Sequence, residues 1–62
     1  MRTITYRRPA RGWYTAWDNI GIIASITRDK DTGQYYIHMV KGIGQDHYEK
    51  TLKEAKQYLE RL

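Results

Sequence analysis

The chain of 62 residues contains no cysteine and no apolar run approaching about 18 residues. Without cysteine it forms neither a disulfide nor a thiolate metal site. Without a long apolar run it has no membrane-spanning helix, and its polar start lacks the apolar segment of a secretory signal. We therefore expect a soluble, cytoplasmic, single-domain protein over residues 1–62, complete or nearly so and stabilised by a small aromatic and aliphatic core.

Residues that commonly carry out catalysis are scarce in this chain. Ser25 is the only serine, and with no base near it in the sequence we interpret it as a small strand residue. His38 and His47 lack the helical i, i+4 spacing of a metal-binding pair. Asp29 and Asp31 favour a polar hairpin tip over a calcium loop, because the bidentate glutamate is missing. We predict no enzyme activity, no metal and no cofactor.

One helix is predicted over residues 51–62. Thr51 and Glu54 match the T-x-x-E capping box, in which each side chain satisfies a free amide at the helix start. A helix this short is marginal alone in water, so it must lie on a surface that the rest of the chain supplies. Its apolar residues recur at helical spacing and form one stripe: Leu52, Ala55, Leu59 and Leu62.

Four strands are predicted before the helix, at about residues 2–8, 13–18, 20–28 and 34–40. Turn signals separate them at residues 9–12, 18–19 and 29–33, with Gly12 and Gly33 placed for positive φ. We predict an α+β fold, in which an antiparallel three- to four-stranded sheet is followed by one C-terminal helix packed on one face, in the order β-β-β-β-α.

Residues 41–50 connect the sheet to the helix. Two glycines, at positions 42 and 44, predict a bend, and Tyr48 is expected to anchor the segment on the core. The segment is also long enough to hold a short extra strand near residues 47–49.

One face of the sheet is predicted to stay open, because a single helix covers only the other. Trp13 and Trp17 share a face, and either core packing or an exposed stacking surface explains them. Strand alternation places these further residues on the open face: Thr3, Thr5, Arg7, Ile23, Ser25, Thr27, Tyr36 and His38.

Positive charge is concentrated at the start of the chain. Residues 1–17 contain four arginines and no acidic residue. Such a patch indicates an anionic partner, but charge that protects an edge strand from pairing is an equally good explanation. The arginines are Arg2, Arg7, Arg8 and Arg11, and the aromatic residues between and after them are Tyr6, Trp13, Tyr14 and Trp17.

From Ile22 onward the sequence resembles two families. The D-x-x-T-G hairpin at residues 29–33 and the T-L-K-E-A-K run at 51–56 are similar to the arm-binding domain of phage-type tyrosine recombinases. They are also similar to the sheet–helix unit of HicB-type antitoxins. Both resemblances imply a sheet closed by one helix, and the first implies that the exposed face enters a DNA major groove. The chain departs from both families in its extra N-terminal strand, and it has neither a recombinase catalytic domain nor a separate DNA-binding tail.

These observations predict a non-enzymatic binding domain of phage or mobile-element type that contacts nucleic acid, with DNA preferred over RNA. Its binding residues are predicted to be Arg7, Arg8, Arg11, Tyr14 and Tyr36, with Arg28 and Lys30 as outer phosphate contacts. The alternative is a small phage-type inhibitor or adaptor that binds a host protein, for example of a defence or transcription system, through the open face or an edge strand. A homodimer is compatible with both.

Overall fold

A computed structural model describes residues 3–40 and 45–62 of the chain. The sheet contains five antiparallel strands in chain order, and one helix follows it. The strands are β1 (Thr5–Ala10), β2 (Trp13–Trp17), β3 (Ile22–Arg28), β4 (Tyr35–Met39) and β5 (His47–Glu49), and the helix is α1 (Leu52–Glu60). The predicted α+β class is confirmed, with five strands instead of three to four. Within the described ranges, no helix is long and apolar enough to cross a membrane.

The hairpin turns follow the local sequence. Gly12 has a φ of 73° between β1 and β2, and Gly33 has a φ of 75° between β3 and β4. Both values lie in the left-handed region that glycine adopts without steric cost, as predicted. Between β2 and β3, the Asp18 carboxylate accepts hydrogen bonds from the amides of Ile20 and Gly21 at 2.8 and 3.0 Å.

The predicted strand boundaries are correct only at the start of β2 and the end of β3, and the others differ by one to three residues. Two of these differences have a clear structural reason. β1 does not stop at residue 8 but continues through Pro9 to Ala10. Proline is tolerated there because β1 is an edge strand, where a missing amide removes no ladder bond if it faces solvent. β3 begins at Ile22 rather than at residue 20, and Ile20 lies in the preceding turn with 87% of its surface exposed. Arg2 and the bend predicted at residues 42–44 lie outside the described residues.

The core lies between the helix and the middle of the sheet. Ala16 of β2 pairs with Ala24 of β3, and both are fully buried with Ala55 of the helix. With Ile26 and Leu59 they form one buried cluster. The remaining core residues are Ile23, Ile37 and Met39.

The placement of Ile23 on the open face is wrong. Ile23 is fully buried and belongs to the core. The register between β2 and β3 shifts next to it, because Ala16 pairs with Ala24 whereas Trp17 pairs with Ile22. Ile23 is therefore the extra residue of a bulge, and strict alternation does not apply there.

Contacts on both edge strands hold α1 over the sheet. On the β1 side, the Tyr6 hydroxyl donates a hydrogen bond of 2.7 Å to Glu60 Oε2, and Lys56 Nζ lies 4.8 Å from the centre of the Tyr6 ring. Burial and the Glu60 carboxylate raise the pKa of Tyr6 above its usual value. On the β5 side, the rings of His47 and Tyr58 stack with centroids 4.4 Å apart. The helix thus contacts both edge strands on one face of the sheet.

The predicted capping interaction forms at the start of α1, in part. The Glu54 amide donates to Thr51 Oγ1 at 3.1 Å, as expected, but the Glu54 carboxylate accepts from the Thr51 hydroxyl and not from an amide.

We expect Thr51→Ala to lower the free energy of unfolding by about 1 kcal/mol, because the Glu54 amide loses its acceptor. Thr51→Ser keeps the hydroxyl and serves as the control in urea unfolding. Equal stability of the two variants would contradict the capping role.

Candidate functional site

A cationic cleft lies at one end of the sheet, where the β1–β2 turn meets the β3–β4 loop. It has a volume of about 340 Å³ and is lined by Arg11, Gly12, Arg28 and Lys30. The Arg28 amide donates a hydrogen bond of 2.9 Å to the Gly12 carbonyl, which holds the two segments together. Arg11 and Arg28, which are 17 positions apart in the sequence (28 − 11), therefore lie at one site.

The cationic cleft has an excess of positive charge. Its three charged side chains, Arg11, Arg28 and Lys30, are all cationic. Within residues 3–40 and 45–62, none of the three forms an ion pair with a carboxylate. Asp29 and Asp31 belong to the same loop, where the Asp29 carboxylate accepts the Asp31 amide at 2.9 Å. Three cations that line one cleft without an ion-paired carboxylate favour the binding of an anion, and the two aspartates reduce the net charge of this end of the sheet.

The open face, defined as the sheet face opposite α1, begins on the β1 side with a stacked pair. The Arg7 guanidinium lies 4.5 Å from the centre of the Trp17 ring. Trp17 Nε1 donates a hydrogen bond of 2.8 Å to Thr15 Oγ1. Thr15 is only 6% exposed, so this bond gives its buried hydroxyl a partner. This bond fixes the indole, and Arg7 stays exposed. Stacking leaves the guanidinium edge available for hydrogen bonds to a ligand.

An aromatic row, defined as Trp13, Tyr36 and Tyr48, crosses the open face. Trp13 pairs with Thr27, Thr27 with Tyr36, and Tyr36 with Tyr48, so that one line of side chains runs from β2 to β5. Trp13 is 41% and Tyr48 53% exposed. The expectation that Tyr48 anchors a loop on the core is wrong. The Tyr36 and Tyr48 rings contact each other with centroids 5.0 Å apart.

Asp46 fixes the far end of the open face. Its carboxylate accepts the Tyr36 hydroxyl at 2.6 Å and the Met39 amide at 2.9 Å, and lies 3.2 Å from His38 Nδ1. The hydrogen bond from Tyr36, then those from Met39 and His38, lower the pKa of Asp46 to about 2. The same bond to Asp46 raises the pKa of Tyr36. Asp46 is therefore ionised at neutral pH and orients the Tyr36 ring.

Acid is expected to weaken this cluster. Because the pKa of Asp46 lies below its ordinary value of 3.8, the ionised carboxylate stabilises the fold fully above about pH 4, and that contribution is lost as the pH falls through about 2. Asp46→Asn cannot titrate. The difference in free energy of unfolding between the wild type and this variant should therefore shrink between about pH 5 and pH 2. Urea titrations at each pH measure it, and a constant difference would contradict the assignment.

Comparison with models of known protein families, with curated proteins and with solved structures finds no match. A function for this chain is therefore inferred from the geometry and charge of its surface. Within the described part of the chain, no group of three or more His, Asp or Glu side chains is placed to hold a metal ion.

The structure divides the seven predicted binding residues among three locations. Arg7 and Tyr36 lie on the open face, and the cationic cleft contains Arg11, Arg28 and Lys30. Arg8 and Tyr14 lie on the helix side, where Tyr14 packs against the core and the Arg8 guanidinium lies 5.9 Å from its ring. The binding roles of all seven residues stay predictions.

The sequence left the role of Trp13 open between core packing and an exposed binding surface, and it did not place Tyr48 or Asp46 in the site. Trp13 was assigned to a shared face with Trp17, but the sequence could not show that this face lies opposite the helix. Tyr48 alternates with His47 and Glu49, which indicates a strand, yet its face depends on the pairing of Tyr36 with Tyr48. The role of Asp46 depends on residues seven to ten positions earlier in the chain. No local signal predicts it.

Proposed function

We propose that this protein is a non-enzymatic domain that binds nucleic acid. The observation that supports the proposal is the cationic cleft at one end of the sheet, in a molecule whose uncovered sheet face also carries Arg7 and exposed aromatic residues. Phosphates are the anions that arginine and lysine bind most readily in extended ligands, and aromatic rings bind the faces of bases. The resemblance to recombinase arm-binding domains makes DNA the first ligand to test.

Arg11, Arg28 and Lys30 contact phosphates in this proposal, and Arg7 contacts a phosphate or a base edge from its position on Trp17. Phosphate contacts set the position of the domain on the ligand, whereas side chains of the open face contact the bases. With three to four phosphates neutralised, log K is expected to fall with log salt with a slope of about −2 to −4.

Fluorescence anisotropy of a labelled DNA oligonucleotide, titrated at several salt concentrations, tests the proposal. We expect tight binding at low salt and a salt slope of about −2 to −4. Binding that does not depend on salt, or that survives the joint loss of Arg7, Arg11, Arg28 and Lys30, would overturn it, because the electrostatic contribution would then be absent.

The exposed aromatic row also supports the second candidate, an inhibitor or adaptor that binds a protein. Tryptophan and tyrosine are enriched among residues that dominate protein interfaces, and Trp13 and Tyr48 are both more than one third exposed. Recovery of a stoichiometric protein partner after nuclease treatment would favour this candidate.

Light scattering of the purified chain at micromolar concentration separately tests the homodimer, and a strict monomer would exclude it.

A further inference from the structure

We propose that two copies of this chain associate through their open faces, with Arg7 of each copy against Asp46 of the other. This inference goes beyond the proposed function, because it names what covers the open face in the absence of nucleic acid. The observation behind it is the distribution of charge. A cation lies at one edge of this face and a carboxylate at the opposite edge, at the same position along the strands.

One row of side chains connects the two charges across the open face. Arg7 pairs with Thr15, Thr15 with Ser25, and Ser25 with His38. The row ends at Asp46, whose carboxylate lies 3.2 Å from His38 Nδ1. Arg7 on β1 and Asp46 beside β5 are separated by about four strand spacings, or about 19 Å. They are therefore too far apart to pair within one copy.

The positions of the two charges are self-complementary under two-fold symmetry. An axis that is parallel to the strands and near β3 places β1 of one copy over β5 of the other. Arg7 of each copy then faces Asp46 of the other, so the ion pair forms twice. Both groups are accessible for this contact, because Arg7 is exposed and the Asp46 side chain is 43% exposed.

The aromatic row gives the same face an apolar surface. Trp13 on β2 and Tyr36 on β4 lie on either side of Thr27, and β3 contributes the small Ser25 and Thr27 to this face. The small side chains leave a shallow trough that accepts a ring of the second copy when two sheets pack about 10 Å apart. Exposed aromatic residues grouped in one patch favour association with another protein surface.

The size of the open face sets the expected affinity. Five strands at a spacing of about 4.8 Å, with about five residues in each, give a face of about 24 Å by 17 Å. Two such faces bury about 800–1,000 Å² in total, which is at the lower end for specific complexes. We therefore expect a reversible dimer with a dissociation constant in the micromolar range.

The cationic cleft stays exposed in such a dimer. Arg28 follows Thr27 of the open face and lies on the same side of β3 as the buried Ile26, which is the helix side. The phosphate contacts proposed for the cleft are therefore compatible with the dimer. Arg7 and the aromatic row are covered, so a second copy and nucleic acid compete for the open face.

Analytical ultracentrifugation of the chain freed of nucleic acid, from about 10 µM to about 1 mM, measures the association. We expect a dimer whose fraction rises with concentration. Arg7→Glu should weaken dimerisation at least about tenfold, because both ion pairs become contacts between carboxylates. Arg8→Glu is the matched control, since it makes the same change one position along β1, on the helix side beside Tyr14. It should change dimerisation less than about threefold. A strict monomer, or equal effects of the two variants, would overturn the inference.

A charge exchange tests the arrangement of the two copies. Asp46→Lys alone should also weaken dimerisation at least about tenfold, because Arg7 of the other copy then faces a cation. An equimolar mixture of Arg7→Glu and Asp46→Lys should dimerise again, because one contact joins the two introduced charges and the other is the native pair. Circular dichroism establishes that each variant is folded. Folded variants that remain monomeric in the mixture would overturn the inference.

Cross-linking provides a test that leaves Asp46 unchanged. The chain has no cysteine, and Ser25 lies near the proposed axis. In Ser25→Cys the two thiols are expected about 10 Å apart, within reach of a short bifunctional maleimide. Lys53→Cys, at an exposed position of the helix, is the control. We expect a covalent dimer from Ser25→Cys alone. No cross-link in that variant, or equal cross-linking in both, would overturn the inference and leave the proposed function standing, because no nucleic acid is present.

Discussion

Replacing Arg11, Arg28 and Lys30 together by glutamine is expected to lower the affinity for DNA at low salt by about a hundredfold or more. Each lost phosphate contact removes the release of about one counterion, so the slope of log K against log salt should become shallower by about two to three. The measurement is anisotropy of a labelled oligonucleotide at several salt concentrations. Because the three side chains line the cleft and lie outside the core, the variant should remain folded.

The chain offers a control with the same change in charge. Lys50, Lys53 and Arg61 are exposed near or on the helix, away from the cationic cleft. Their joint replacement by glutamine also lowers the formal net charge from +4 to +1. If binding depends on the cleft, this control retains most of the affinity. Equal losses in the two variants would show that net charge, and not the cleft, attracts the ligand.

Ile26→Ala is expected to unfold much of the protein, whereas Ile20→Ala is expected to change its stability by no more than about 0.5 kcal/mol. Ile26 is fully buried in the centre of the sheet, and Ile20 is 87% exposed. Truncation of a buried isoleucine costs about 2–5 kcal/mol through lost burial and a residual cavity. A domain of this size rarely has more than about 3–5 kcal/mol in total.

Both variants replace isoleucine by alanine, so the difference between their free energies of unfolding measures the contribution of burial. Urea unfolding followed by circular dichroism and tryptophan fluorescence measures both variants. A loss at position 26 no larger than the loss at position 20 would contradict the placement of Ile26 in the core.

The elements that local chemistry specifies were predicted well. Positive φ at Gly12 and Gly33, the capping role of Thr51 and the amphipathic stripe of α1 all depend on residues within a few positions of each other. The short strand near residues 47–49 was also foreseen as an option and is β5. Sequence patterns were less accurate where the outcome depends on a neighbouring strand. Pro9 does not end β1, because β1 is an edge strand, and Ile23 breaks the strand alternation, because it lies in a bulge.

The candidate site was predicted only in fragments. The sequence identified the cations, but not that Arg11, Arg28 and Lys30 share one cleft while Arg8 lies on the helix side with Tyr14. Strand alternation placed Trp13 and Trp17 on one face but left both a core and a surface role open. The helix lies on the other face, which assigns both side chains to the surface. Which side chains of an edge strand such as β5 point to the open face depends on its register with the neighbouring strand. Register depends on both strands, so the sequence of one strand does not determine it.

By itself, the sequence determined where the chain turns, where the helix begins and that one face of the sheet must stay uncovered, because those outcomes follow from short-range geometry and from the size of a single helix. Only the tertiary structure decided what the uncovered face presents. Hydrogen bonds such as those of Asp46 with Tyr36 and Met39, and the approach of Gly12 to Arg28, join residues that are distant in the chain. They exist only once the strands are paired in register and the helix has closed the opposite side.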